Sequence, residues 1–125
     1  MYWSFEPFHS PDYVLISAGG QFTDTDFADM LDELYRLDYW APRTPILLDE
    51  RGVDLSPATT EQLVNAAEYF LDQNAQLGYT KIAVLLRSHG AARVAERFGE
   101  AVRSQTKAVV EAFRDRKEAE DWLVR

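Results

Sequence analysis

The chain has 125 residues, no cysteine and a formal net charge of −8 at pH 7. This length predicts a single domain over residues 1–125 with a core that needs neither disulfides nor metal ions. The missing cysteines exclude thiolate metal sites and a cysteine nucleophile, and the acidic balance argues against nucleic-acid binding, which needs a basic face. No segment reaches the ~20 apolar residues that span a bilayer. The first ten residues lack the features of a signal peptide, so we expect a cytoplasmic protein with no membrane span.

The N-terminal third predicts two strands and a helix. Residues 2–6 alternate and are rich in aromatic side chains, and residues 13–22 form a second apolar segment after a turn, which predicts an antiparallel pair. Gly19 and Gly20 indicate a bulge or a close backbone approach in the second strand. Residues 23–40 show an apolar stripe at helical spacing, and Thr23 is placed to cap that helix.

The remainder alternates strands with helices. Apolar runs predict three further strands, and each is followed by a segment with helical periodicity. Strand–helix alternation implies parallel pairing, so we predict an α/β protein with a five-stranded mixed sheet and four helices. The predicted strands are residues 45–50, 80–87 and 107–113, and the helices that follow them are residues 57–77, 89–102 and 115–124.

Three stretches carry a resemblance to a known family. They are "GGQFTDTDFADML" at residues 19–31, "PILLDERGVDL" at residues 45–55 and "VVEAFRDRKEAEDWL" at residues 109–123. In this order they resemble the SpoIIAA-like (STAS/SEC14-type) bacterial family, and the resemblance covers nearly the whole chain. It implies a STAS-like sandwich of one sheet with helices.

The resemblance also implies classes of function. The prototype of this fold, an anti-sigma factor antagonist, works by protein–protein binding that serine phosphorylation switches, and SEC14-type relatives imply binding of an apolar ligand. The antagonists carry an Asp-Ser-Ser-Gly-like turn at the start of the second helix. Here the matching turn reads Ser56-Pro57-Ala58-Thr59, which places Pro57 or Ala58 where the switch serine is expected.

Hydroxyl side chains surround the start of the second predicted helix. Ser56 followed by Pro57 is a favoured helix start, with serine as N-cap and proline as the first helical residue. Thr59 and Thr60 remain as phosphate acceptors. A phosphate there would be favoured by the helix dipole, whereas Glu61 and the negative charge of the chain would oppose it.

Charged residues follow two of the buried strands. Asp49, Glu50 and Arg51 end one predicted strand, and ligands bind beyond the carboxyl ends of parallel strands. The paired carboxylates could act as general acid and base or hold a cation. The alternative is that Asp49 accepts hydrogen bonds from the next turn and that Arg51 pairs with a nearby acid.

Arg87, Ser88 and His89 follow the next predicted strand at the same edge of the sheet. Ser88 is a predicted N-cap, and the free N–H groups of the following turn could hold an anion together with Arg87 and His89. His89 is the side chain most suited to titrate near neutral pH. The alternative is a purely structural helix start.

Tyr2, Trp3, Phe5 and Phe8 form an aromatic N-terminal cluster. Because side chains alternate along a strand, some of them must lie on each face of the sheet. They could pack in the core, form a dimer interface or line an apolar pocket.

We therefore expect a non-catalytic binding module that acts through protein–protein contact, as a homodimer and without a cofactor or metal ion. One alternative is a carrier of a small apolar or lipid-like ligand, which a cavity lined by Phe22, Phe27, Tyr35 or Phe70 would favour. The other is an enzyme that uses Asp49, Glu50 and His89, which requires these side chains to converge.

Overall fold

The structure is a computed structural model that describes the backbone of residues 1–103 and 105–125, and their side chains except those of residues 74, 90, 92, 95, 97 and 101. Within the described residues the chain forms five strands and five helices. In chain order these are β1 (Tyr2–Phe8), β2 (Tyr13–Gln21), α1 (Asp24–Tyr35), β3 (Ile46–Asp54), α2 (Thr60–Asp72), α3 (Asn74–Leu77), β4 (Lys81–Leu85), α4 (His89–Arg103), β5 (Val109–Phe113) and α5 (Arg116–Leu123).

The five strands lie side by side in chain order, from β1 at one edge to β5 at the other. β1 is antiparallel to β2, and all other neighbours are parallel. The predicted five-stranded mixed sheet is therefore confirmed. The helix count differs by one, because the predicted second helix divides at Gln73 into α2 and the four-residue α3.

Helices cover both faces of the sheet and create two apolar clusters. The larger cluster lies between the sheet and helices α1, α2 and α4, and it includes Ile46 and Leu48 of β3. The smaller cluster lies under α5 and includes Leu47. Consecutive residues of β3 thus serve opposite faces, as the two-residue period of a strand requires.

β3 is longer than predicted. It continues past Glu50 to Asp54, because Gly52 and Val53 still pair with Gly19 and Gly20 of β2 after an irregularity in the register between Ser17 and Gly19. The extra residue of this irregularity lies in β3, where Glu50 and Arg51 oppose Ala18 alone, so the bulge predicted at Gly19 and Gly20 of β2 falls on the partner strand instead. Close packing explains the glycine at position 19, since a Cβ there would lie 2.5 Å from the Tyr2 hydroxyl.

The starts of α1 and α5 follow the sequence closely. The Thr23 hydroxyl accepts a hydrogen bond from the Asp26 amide at 3.1 Å, and the Asp115 carboxylate accepts one from the Glu118 amide at 3.2 Å. The end of α1 differs, because the helix stops at Tyr35 rather than at residue 40. The next segment turns back, with the buried Trp40 indole donating to the Thr44 carbonyl at 3.1 Å.

The predicted cap at Ser56 is wrong. Thr59 is the N-cap of α2, since its hydroxyl accepts from the Gln62 amide at 3.1 Å while the Gln62 side chain accepts from the Thr59 amide at 2.9 Å. This reciprocal pair is a capping box. Ser56 instead donates its hydroxyl to Asp54 at 2.7 Å. A separate turn, closed by the Ala58 amide on the Leu55 carbonyl at 3.0 Å, delays the helix by three residues.

Candidate functional site

A cavity of about 540 Å³ lies between the sheet and the three helices α1, α2 and α4. This volume falls within the ~300–1,000 Å³ typical of small-molecule sites. Its walls are mostly apolar and come from β2 to β5 on one side and from the helices on the other. Residues that form the walls include Ile16, Leu48, Ile82, Val84, Val110 and Ala112 from the sheet and Met30, Leu31, Leu63, Ala66 and Val94 from the helices.

Four phenylalanine rings form a connected aromatic wall of this cavity. Phe22 lies 6.2 Å from Phe27, Phe27 lies 6.2 Å from Phe98, and Phe98 lies 5.7 Å from Phe70, all between ring centroids. The last two pairs meet edge to face, a favourable arrangement of aromatic quadrupoles. Three of the four residues expected to line an apolar cavity therefore do so. The fourth, Tyr35, packs against Trp40 instead.

Glu50 places a carboxyl group in this apolar cavity. It follows Ile46 and Leu48 on the same face of β3, so the alternation of the strand turns it toward the helices. Burial raises the pKa of Glu50 to about 7, and the charge of Asp49 adds to the shift. Among the described residues no hydrogen bond or ion pair satisfies this carboxyl. The side chain is only half-buried, because the cavity itself gives it access to water.

Asp49 and Arg51 lie on the opposite face of β3 and bind each other. The Arg51 guanidinium donates to the Asp49 carboxylate at 3.0 and 2.9 Å, and the Arg51 amide donates to it at 3.1 Å. Burial opposes ionisation of Asp49, yet these hydrogen bonds and the charges of Arg51 and Arg116 lower its pKa. The paired carboxylates of the sequence thus have different surroundings, and only Glu50 reaches the cavity.

Asp54 and Ser56 lie at the carboxyl end of β3. The Ser56 amide and hydroxyl both donate to Asp54, and together with the charge of Arg87 they lower the pKa of this carboxyl. Thr59 and Thr60 are exposed at the start of α2. Their role as phosphate acceptors stays a prediction, although phosphate on the Thr59 hydroxyl would compete with its capping bond.

Ser88 and His89 begin α4 at the neighbouring strand end. The Ser88 hydroxyl accepts from the Ala91 amide at 3.1 Å, as expected of a cap. The His89 ring contacts the Arg114 guanidinium at the end of β5. Arg87, Ser88 and His89 are all exposed.

Asp49, Glu50 and His89 do not form one constellation. Asp49 and Glu50 point to opposite faces of the sheet, and His89 makes its described contacts with Arg114 rather than with either carboxyl. General acid–base catalysis needs such groups within hydrogen-bond reach. The geometry therefore favours the cavity over the strand edge as the functional site.

The described residues, 1–103 and 105–125, contain neither a grouped set of metal ligands nor a membrane-spanning helix. No three histidine, aspartate or glutamate side chains in this part of the chain are grouped so as to hold a metal ion. No helix in the same part of the chain has the length and hydropathy to cross a membrane.

In the sequence Glu50 lies at a predicted strand end, beside Asp49, whereas in the structure it lines a cavity. The usable signal was the alternation Ile46, Leu48, Glu50, which puts the carboxyl on the face of two core residues. The cavity itself has no local signal, because its walls come from seven separate elements and the loops between them.

Comparisons with known proteins identify the fold. No protein-family model matches the chain, and no curated protein matches it. Among solved structures it is similar to the crystal structure of an uncharacterized protein of the DUF3478 family, with a SpoIIAA-like fold, from Shewanella loihica PV-4. The likeness covers 98% of this chain and 92% of that chain, with a TM-score of 0.58 and 20% sequence identity. The predicted STAS/SpoIIAA-like fold is confirmed.

Proposed function

We propose that this SpoIIAA-like protein is a non-catalytic binding module that holds a small apolar molecule between its sheet and its helices. The observation that carries the proposal is the cavity of about 540 Å³ with its wall of four phenylalanine rings. Burying a ligand there removes apolar surface from water on both partners. The separated positions of Asp49, Glu50 and His89 support a binding role rather than catalysis.

Gly99 offers a way to close the cavity without disturbing the core. This residue is buried on α4 and lines the cavity. Of the side chains that the structure describes, a Cβ added there would meet only the Arg103 guanidinium, at 4.0 Å. The open space beside Gly99 therefore belongs to the cavity, so Gly99→Leu should fill it. Gly99→Ala is the matched control, because it gives the same change in backbone freedom with little added volume.

The first test is native mass spectrometry of the purified protein, followed by titration of the delipidated protein with the neutral fluorophore N-phenyl-1-naphthylamine. We expect either a retained mass that leaves on denaturation or saturable binding of one fluorophore per chain. Gly99→Leu should abolish fluorophore binding and Gly99→Ala should retain it. No retained mass together with no fluorophore binding would overturn the proposal, as would binding that Gly99→Leu leaves intact.

A second candidate function is protein–protein contact through the edge strand β1. Its outer edge has no partner strand within the described residues, and Tyr2 at the start of this strand is 71% exposed. Unpaired strand edges bind partner strands readily, either from another protein or from a second copy across a two-fold axis. We propose this surface for a homodimer or a partner protein in the bacterial cytoplasm. The same native spectra report the oligomer, and Tyr2→Lys should weaken a dimer that uses β1.

A further inference from the structure

The cavity has a polar end as well as an apolar body. We propose that it selects apolar molecules that carry one basic amine, and that the Glu50 carboxylate binds this amine. The inference rests on the proposed function and specifies the chemistry of the ligand. It depends on the position of Glu50, on the lack of a partner for its carboxyl within the described part of the chain, and on the charges around the cavity.

The position of Glu50 suits a single anchoring contact. Its carboxyl stands on the sheet wall, while the surrounding walls offer apolar side chains and the ring faces and edges of phenylalanines. Small-molecule sites commonly combine such an apolar lining with a few polar groups that fix orientation. A ligand with one polar head and an apolar body therefore matches the cavity better than a ligand that is polar throughout.

The missing partner distinguishes Glu50 from its neighbour in sequence. Asp49 receives three hydrogen bonds from Arg51, whereas Glu50 receives no hydrogen bond from any described residue. A partly desolvated carboxylate that has no partner among the described residues is costly. A ligand ammonium would supply both the hydrogen-bond donors and the compensating charge, so its binding relieves a cost already present in the protein.

The charges at the mouth of the cavity favour a cation. The exposed residues that line it lie on α4 and β5, so the mouth lies between these elements. Among the described side chains, Glu96 and Glu100 of α4 lie there with Arg103, whereas Glu111 follows Ala83 onto the α5 face of the sheet. α1 and α2 contribute only apolar side chains to the walls. A cleft with this excess of negative charge concentrates cations and repels carboxylic acids.

Ionisation of Glu50 should make amine binding depend on pH. Its pKa of about 7 is raised mainly by burial and then by Asp49, on the same strand. A primary alkylamine stays protonated well above this pH, like a lysine side chain with its ordinary pKa of ~10.4. Amine affinity should therefore rise as Glu50 ionises between about pH 5 and about pH 8.

The test uses three ligands of equal length, decylamine, decanol and decanoic acid, which compete with N-phenyl-1-naphthylamine on the delipidated protein. We expect decylamine to bind at least about tenfold more tightly than decanol, as one charge-assisted hydrogen bond allows, and decanoic acid to bind most weakly. Glu50→Gln should bring decylamine and decanol within about threefold of each other.

Glu68→Gln is the matched control, because Glu68 is exposed on α2 and does not line the cavity. It should preserve the preference for decylamine. Equal binding of amine and alcohol to the unaltered protein would overturn the inference, as would tightest binding of decanoic acid or an amine preference that survives Glu50→Gln. In these cases fluorophore binding that is lost in Gly99→Leu would still support the proposed function, so the two failures are distinguishable.

Discussion

At the scale of single residues, Glu50 combines a charge with apolar surroundings. Its pKa in the folded protein, about 7, lies above the ordinary value of 4.5 because burial and the neighbouring Asp49 both disfavour the ionised form. A raised pKa means that the folded state binds the proton more tightly than the unfolded state does. The resulting stabilisation is fully present below the ordinary pKa and is lost as the pH rises through about 7.

We predict that Glu50→Gln stabilises the ligand-free protein at about pH 8 and has little effect at about pH 4. Glutamine resembles the protonated acid, so it removes the cost of ionisation, which is at most about 3 kcal/mol and smaller where cavity water solvates the carboxylate. Urea unfolding at both pH values measures the difference, with Glu68→Gln as the control. Equal effects of Glu50→Gln at the two pH values would contradict the raised pKa.

At the scale of elements, the start of α2 shows how a local rule can select the wrong residue. Ser56-Pro57 satisfies the preferences of a helix start, but Asp54 binds the Ser56 hydroxyl and amide before the helix begins. Thr59 and Gln62 fit the reciprocal capping pattern three residues later. The sequence contained both signals, and the local turn decided between them.

Alanine substitutions at Thr59 and at Ser56 should lower the free energy of unfolding by different amounts. Thr59→Ala removes the side-chain acceptor of the capping box and should lower the free energy of unfolding by about 1 kcal/mol. Ser56→Ala removes an exposed hydrogen bond to Asp54 and should cost less than about 0.5 kcal/mol. Chemical denaturation of both variants compares these values. A larger loss for Ser56→Ala would indicate that the helix begins where the serine–proline pair suggested.

At the scale of the whole molecule, the two faces of the sheet differ in packing, because only the face under α1, α2 and α4 holds the cavity. Under α5 the aromatic side chains meet closely, with Phe113 and Trp122 centroids at 5.6 Å and the stacked pair Phe8 and Tyr13 at 4.9 Å. On the other face three helices stand over the sheet and leave about 540 Å³ open. Side chains around a void lose packing contacts, so a molecule that fills the cavity should stabilise the fold.

We predict that N-phenyl-1-naphthylamine raises the melting temperature of the delipidated protein. A ligand that binds only the folded state, at about 100 times its Kd, adds about 2.7 kcal/mol, which corresponds to roughly 10 °C for a chain of this size. Differential scanning calorimetry measures the shift, and Gly99→Leu should show none. A melting temperature unchanged by saturating fluorophore in the unaltered protein would indicate that the cavity does not accept it.

The sequence by itself determined the fold class, the five strands and the caps at Thr23 and Ser88. These features depend on short-range signals: a period of two in strands, a helical period in amphipathic segments, and hydroxyl or carboxylate groups before a helix. Such signals lie within a few residues of the structure that they specify.

Only the tertiary structure decided the length of β3, the cap of α2 and the cavity. β3 continues to Asp54 because β2 supplies partners as far as Gln21, which no property of residues 51–54 alone indicates. The cavity depends on how far α1, α2 and α4 stand from the sheet, and this distance results from packing among residues remote in sequence. For the same reason the adjacent residues Asp49 and Glu50 differ, since one meets Arg51 and the other meets open apolar space.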